Sequence, residues 1–334
     1  MRNRLWIFGT IVFLLTNCDN KKKPETIRSN PPVEIKSAPI FNADTAYNKI
    51  EKQVSFGPRV PNTKPHIACG DYLIHQLNKY GCKVIVQSFS KKSFDGKQLE
   101  LRNIIGSINP SATKRIILAS HWDSRPFADQ EENDNKKRTP IDGANDGASG
   151  VGILLEIARI SQINKLDTNV GVDIIFFDGE DYGQPDFMHL PEVPDSWCLG
   201  SQYWAQNKHT ASYQAYYGIL LDMVGAKNAQ FAMEGLSTRY APAITDRIWN
   251  TAALAGYSNF FPNLKVESII DDHYYINNIA KIPMVDIIEY NVSDKNNAYF
   301  GDYWHTLNDN MAVIDKNTLK AVGQTVLTVV YSEK

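Results

Sequence analysis

Apolar and polar positions alternate along this chain with two periods, and the periods sort it into helices and strands. Tyr47, Ile50 and Val54 recur at helical spacing, so 42–54 is predicted as a helix with Asp44 as its cap. Phe56-Gly57-Pro58-Arg59-Val60-Pro61 breaks it, and a second amphipathic helix follows over 68–80, ended by Gly81. Segments 83–89 and 99–108 alternate with period two, like an antiparallel pair turning at Phe94-Asp95-Gly96. Arg115-Ile116-Ile117-Leu118-Ala119-Ser120 is an apolar strand, followed at once by His121-Trp122-Asp123-Ser124. A helix over 151–160 stands behind the turn Asp142-Gly143-Ala144-Asn145-Asp146-Gly147-Ala148-Ser149-Gly150. Val172 to Phe177 reads as a buried strand that stops abruptly at Asp178-Gly179-Glu180-Asp181-Tyr182-Gly183. Next come a long Pro-rich excursion over 184–197, a helix over 199–208 and a strand over 215–224 that carries Asp222. A short strand at 231–233, a helix over 241–255, a run over 266–270 into Asp271-Asp272-His273, a last strand over 283–288 and a helix over 316–331 complete the reading. Strands alternating with helices predict an α/β fold: a three-layer sandwich whose mixed, mostly parallel central sheet is flanked by helices.

The first forty residues do not fit that pattern. Met1-Arg2-Asn3-Arg4, an apolar run from Leu5 to Leu15 and Cys18 at its edge describe an export signal too short to span a bilayer. The segment resembles a bacterial lipoprotein signal, 1–18, in which Cys18 is lipidated; Asn17 departs from the small residue usual before that cysteine. The Lys-, Ser-, Asn- and Pro-rich stretch 19–40 reads as a flexible tether, and 41–334 as a single catalytic domain. The expectation is an exported protein, periplasmic or anchored in the outer membrane of a Gram-negative-type bacterium, touching membrane only through that lipid. A net charge of −2 without a basic stripe argues against nucleic acid. Cys69 and Cys82 could pair outside the cytoplasm, but Cys198 is then left over, and no C-x-x-C argues for a thiolate zinc site. A monomer is the default.

Candidate chemistry sits just past the strand ends, where open α/β sheets bind ligands. His121, Asp146, Glu180, Asp181, Asp222, Asp271 and His305 all fall there or in loops between elements. Singly, each has a plain structural explanation: a solvated acidic turn, a hydrogen-bonded histidine, an Asp146 helix cap. Together they form a mixed carboxylate and imidazole set of the kind that suits zinc in an open catalytic site.

These motifs, from Phe56-Gly57-Pro58-Arg59 to Trp304-His305-Thr306, resemble the co-catalytic zinc aminopeptidase family and, within it, the animal-type glutaminyl cyclases. The resemblance implies Asp146, Asp181 and His305 as ligands of one Zn²⁺ and Glu180 as proton shuttle. It implies Asp222 and Asp271 as acids hydrogen-bonded to each other beside it, and Trp304, Phe300 and Ile269 as the apolar substrate pocket. Three departures stand out. Glu180-Asp181 replaces a Glu-Glu pair, Asp286 replaces a histidine of the animal pocket, and the excursion after Gly183 is longer, leaving Trp197 and Met188 as candidates for a pocket tryptophan. The implied activity is cyclisation of N-terminal glutaminyl residues of peptides or proteins to pyroglutamate with release of ammonia. The rival on the same scaffold is a dizinc aminopeptidase, with His121 and Asp222 holding a second metal that Asp146 bridges. A lipid-tethered binding protein with only a structural ion is a third reading, disfavoured because structural zinc sites are closed and thiolate-rich.

Overall fold

The computed structural model describes residues 38–291 and 299–334. The signal segment, Cys18 and most of the tether expected over 19–40 lie outside the described residues. In chain order the elements are α1 (Ala43–Val54), α2 (Lys64–Lys79), β1 (Lys83–Lys92), β2 (Gln98–Ile108), β3 (Lys114–His121), α3 (Ala148–Ile163) and β4 (Val170–Phe177). They continue with α4 (Leu199–Gln206), β5 (Tyr217–Asp222), α5 (Gly235–Tyr240), α6 (Pro242–Leu254), α7 (Asp272–Tyr275), β6 (Met284–Ile288) and α8 (Lys316–Tyr331).

The strands form one sheet of six in the order β1-β2-β4-β3-β5-β6. β1 and β2 pair antiparallel, as do β2 and β4, while β3, β4, β5 and β6 run parallel. The sheet is thus mixed and mostly parallel, as the alternation of elements predicts. Period-two alternation sorts its side chains onto two faces. Ile116, Leu118, Ile174, Phe176, Ile219 and Leu221 join the larger core with residues of α1, α3 and α8. Ile117, Ala119, Ile175, Phe177 and Leu220 face the other way, onto Trp204 of α4 and Ile276. Every residue of β4 is buried. A strand covered on both faces reads as the continuous apolar run seen in the sequence.

The topology places the site. β3 lies between β4 and β5, so the chain passes from one side of β3 to the other after β4. Such a reversal opens a crevice beyond the carboxyl ends of the strands. His121 ends β3, Glu180 and Asp181 follow β4, and Asp222 ends β5.

Several boundaries differ from the sequence reading. Asn42, not Asp44, caps α1, its side chain accepting from Thr45 N–H at 3.0 Å. Thr63 caps α2 and Pro65 sits in its first turn, so that helix starts before the predicted 68. The segment 231–233 makes only an isolated bridge from Met233 to Lys265, and 266–270 is irregular. A separate helix, α5, precedes α6, because Glu234 accepts the amide hydrogens of Leu236 and Ser237 and starts a helix there. Cys69, Cys82 and Cys198 are all free and buried.

Candidate active site

The loops that carry the candidate residues are held by buried polar side chains. Arg59, fully buried, donates to the carbonyls of Trp122 (3.0 Å), Asp142 (2.6 Å) and Gly143 (2.8 Å), tying the loop after β3 to the one before α3. The Asp309 carboxylate accepts the amide hydrogens of Asn145 (2.7 Å) and Asp146 (3.0 Å). Asp123 does the same for Glu180 and Asp181, at 3.1 Å each. Gly147 has φ 89, and a Cβ there would stand 2.8 Å from both the Asp123 carbonyl and His121 Cε1, so only glycine lets this turn lie against His121. The alternative role for Asp146, a helix cap, is absent: Gly147 holds the cap position of α3 without a side-chain bond, which leaves the Asp146 carboxylate free for the crevice.

Asp146, Asp181 and His305 converge there, their ligand-capable atoms within 4.8 Å of one another. His305 Nε2 lies 3.3 Å from Asp181 Oδ1 and 3.5 Å from Asp146 Oδ2. On its far side, His305 Nδ1 is 3.2 Å from Asp129 Oδ1, and Arg125 binds both oxygens of Asp129 (2.5 and 2.8 Å). That outer pairing fixes which ring nitrogen faces the crevice. Both carboxylate oxygens of Asp181 are buried without a hydrogen-bond partner. Buried carboxylates are rarely left so; Arg125 Nη1 stands 3.7 Å from Asp181 Oδ1, and a cation bound between the three residues would supply what is missing. The three residues therefore fit zinc, an oxygen- and nitrogen-bound ion in open catalytic sites.

A second group shares Asp146: His121 Nε2 lies 3.0 Å from Asp146 Oδ1 and 3.2 Å from Asp222 Oδ1. Glu180 stands outside both groups and is grouped instead with Cys198 and Asp271. Burial drives the Glu180 carboxyl well above the usual range, opposed by His121 and reinforced by the charges of Asp181, Asp271 and Asp272. Burial, with the charge of Asp222 next, pushes Asp271 up to about 7. Asp222 acts on Asp271 through charge, and Asp286, itself buried and raised far above the ordinary carboxylate value, lies within 4.8 Å of Asp271 with neither of its oxygens hydrogen-bonded. The resemblance pairs Asp222 with Asp271; in the structure Asp222 Oδ1 also lies 3.2 Å from His121 Nε2, and Asp271 has the carboxylate of Asp286 as a further neighbour.

These groups open into a cavity of about 580 Å³ lined by Ile269, Phe300, Trp304 and Trp197, along with Asp146, Glu180, Asp181, Asp271 and His305. Trp304 stacks on His305 with centroids 3.8 Å apart, and Trp197 lies parallel to the same imidazole at 5.9 Å. Arg125 sits 4.3 Å over the Trp197 ring. Of the two candidates for a pocket tryptophan, Trp197 lines this cavity and Met188 does not. Residues 184–197 form one wall of it.

Residues 103–330 match peptidase family M28. The chain belongs to that family. It superimposes on a Zn-dependent exopeptidase from Parabacteroides distasonis with TM-score 0.86 and 52% identity, over 89% of this chain and 100% of that one. The glutaminyl cyclase of Bacteroides thetaiotaomicron, solved with N-acetylhistamine bound, matches at TM-score 0.86 and 51% identity over the same shares, 89% and 100%. The glutaminyl-peptide cyclotransferase of Gloydius blomhoffii is 27% identical over 291 residues, 78% of this chain and 73% of its own. Within M28, the resemblance read from the motifs is thus the one the comparisons return.

Sequence reasoning did not single out Asp123, Asp129, Cys198 or Asp309. Asp123 was within reach, two residues after His121 in the same strand-end motif. The others lie in loops without periodicity, and only tertiary structure brings them to the crevice.

Proposed function

We propose that the chain is a zinc-dependent glutaminyl-peptide cyclotransferase acting on peptides or proteins that begin with Gln. Asp146, Asp181 and His305 would hold one zinc, which when bound supplies Lewis acidity at the γ-carbonyl oxygen of the substrate. The single observation that carries the reading is that Glu180, the residue before Asp181, stands outside the candidate metal trio and clusters instead with Cys198 and Asp271.

The chemistry asked of the residues is modest. The α-amine and the γ-amide belong to one residue, so the pocket has mainly to fold that residue into a five-membered ring. Ile269, Phe300 and Trp304 supply an apolar wall that packs the side chain and excludes water. Glu180 takes a proton from the attacking amine as the N–C bond forms, and returns it to the amide nitrogen as that C–N bond breaks. The products are a pyroglutamyl peptide and ammonia. A raised Glu180 carboxyl suits a group that must both accept and give back a proton. Asp271 and Asp286 share a proton behind it, since adjacent buried carboxylates cannot both ionise cheaply.

The trio His121, Asp146 and Asp222 favours a second reading, a dizinc aminopeptidase. Bound zinc separates the two: one equivalent per chain accords with the cyclase, two with the peptidase. Ammonia release from a glutaminyl dipeptide, abolished by chelation and restored by zinc, tests the cyclase directly; no release refutes it. A lipid anchor at Cys18, export to the periplasm or outer membrane, a monomeric state and no nucleic-acid partner belong to the same proposal and rest on the amino-terminal pattern and the charge.

A further inference from the structure

We infer that Cys198 is a positioning residue for the proton shuttle, its thiol orienting the Glu180 carboxylate; the inference rests on the cyclase reading. Cys198 Sγ lies 3.2 Å from Glu180 Oε1, within reach of an S–H donor. Among the described residues no other hydrogen-bond donor reaches that carboxylate. The same residue also fixes the shuttle's backbone. Its amide hydrogen is donated to the Glu180 carbonyl at 2.9 Å, and that of Leu199 to the Gly179 carbonyl at 3.1 Å. Glu180 is thus held at both ends by one neighbour.

Two further observations set this cysteine apart from an inert filler, the usual role of a buried free thiol. Cys198 adopts φ 56, ψ 36 just before α4, a left-handed conformation that residues with a Cβ keep only where the surroundings impose it. In addition, Asp271, whose Oδ2 is buried and without a hydrogen-bond partner, belongs to the same cluster as the thiol and Glu180. The thiol therefore stands in a small polar cell around the shuttle, not in an apolar one. Burial and the surrounding carboxylates keep it protonated, so it serves as a donor throughout turnover.

A thiol hydrogen bond to a carboxylate is a modest interaction, and the expected effect is correspondingly modest. In the zinc-loaded full chain, Cys198→Ala should lower kcat for ammonia release from a glutaminyl dipeptide about five- to tenfold. KM, zinc content and Tm should stay at wild-type values, and Cys198→Ser, which restores a donor, should recover most of the rate. Both replacements carry a Cβ, so neither changes the backbone cost at this left-handed position. Should Cys198→Ala prove less stable, it is compared with Cys198→Ser at a temperature at which circular dichroism shows both folded. A kcat for the donor-free variant within twofold of wild type would overturn the inference, and so would a Ser variant no faster than Ala. A wild-type chain that releases no ammonia would instead refute the cyclase reading, and the inference with it.

Discussion

Asp123 spans the Glu180–Asp181 peptide: Oδ1 accepts the amide hydrogen of Glu180 and Oδ2 that of Asp181, each at 3.1 Å. One fully buried carboxylate thus fixes both the proposed shuttle and a proposed metal ligand. Asp123→Asn turns one acceptor into a donor facing an amide hydrogen, and Asp123→Ala strands two buried donors. The cost is about 1–3 kcal/mol for each group left unpaired. Activity should fall further than stability, because a small displacement of the turn moves two functional side chains. Thermal unfolding and ammonia release measured on the same preparation check this.

Glu180→Gln keeps the shape of the side chain and removes its ability to accept a proton. Zinc content should match wild type, while turnover falls by roughly two orders of magnitude or more, the usual contribution of a general acid–base group. Wild-type turnover in this variant would remove Glu180 from its role.

Metal binding should divide the two overlapping trios. Asp181→Ala and His305→Ala are expected to lose zinc, since each belongs only to the first trio, whereas His121→Ala should retain it. Asp129→Asn removes the charge that faces His305 Nδ1 at 3.2 Å, and zinc affinity should weaken about 10–100-fold. Metal analysis after dialysis against a graded chelator series reads all four. A His121→Ala protein stripped of its only zinc would contradict the assignment.

Asp271 gives the stability a pH dependence. Its carboxyl is raised from 3.8 to about 7, first by burial and then by the charge of Asp222. Between those values the folded chain holds a proton that the unfolded chain has released, so stability falls as pH rises through the window. The full shift corresponds to a penalty on the order of 4 kcal/mol at the alkaline end. Asp271→Asn removes it and should gain stability over wild type at pH 8 but little at pH 4. Urea unfolding midpoints of the two proteins at both pH values check the sign.

Much of this fold was legible because its strands are covered on both faces. The apolar runs at Ile116–Ala119 and Val172–Phe177 admit little but a central strand, and the carboxylates that follow each run mark the crevice edge. Asp146, Glu180, Asp181, Asp222 and His305 were found for that reason: each follows a strand or sits in a Gly-rich or aromatic motif. Asp271 was marked by its place in a loop after the run 266–270, but its closeness to Asp286 was not, because nothing local in Asp286 or its strand shows that the two carboxyls lie near each other. Cys198, Asp129 and Asp309 owe their places to loops whose course no periodicity encodes. The cap misassigned at Asn42 and the helix starts missed at Thr63 and Glu234 have a simpler cause, since several polar residues near each start are capable of capping and packing selects among them.

Mass spectrometry of a peptide beginning Gln-Leu, incubated with the zinc-loaded chain, reads cyclisation and hydrolysis at once. A product lighter by one ammonia, with every residue retained and formed at least about a hundredfold more slowly by Glu180→Gln, is the predicted result. A peptide shortened by its first residue would show that the carboxylate beside the metal activates water instead, and would contradict the account.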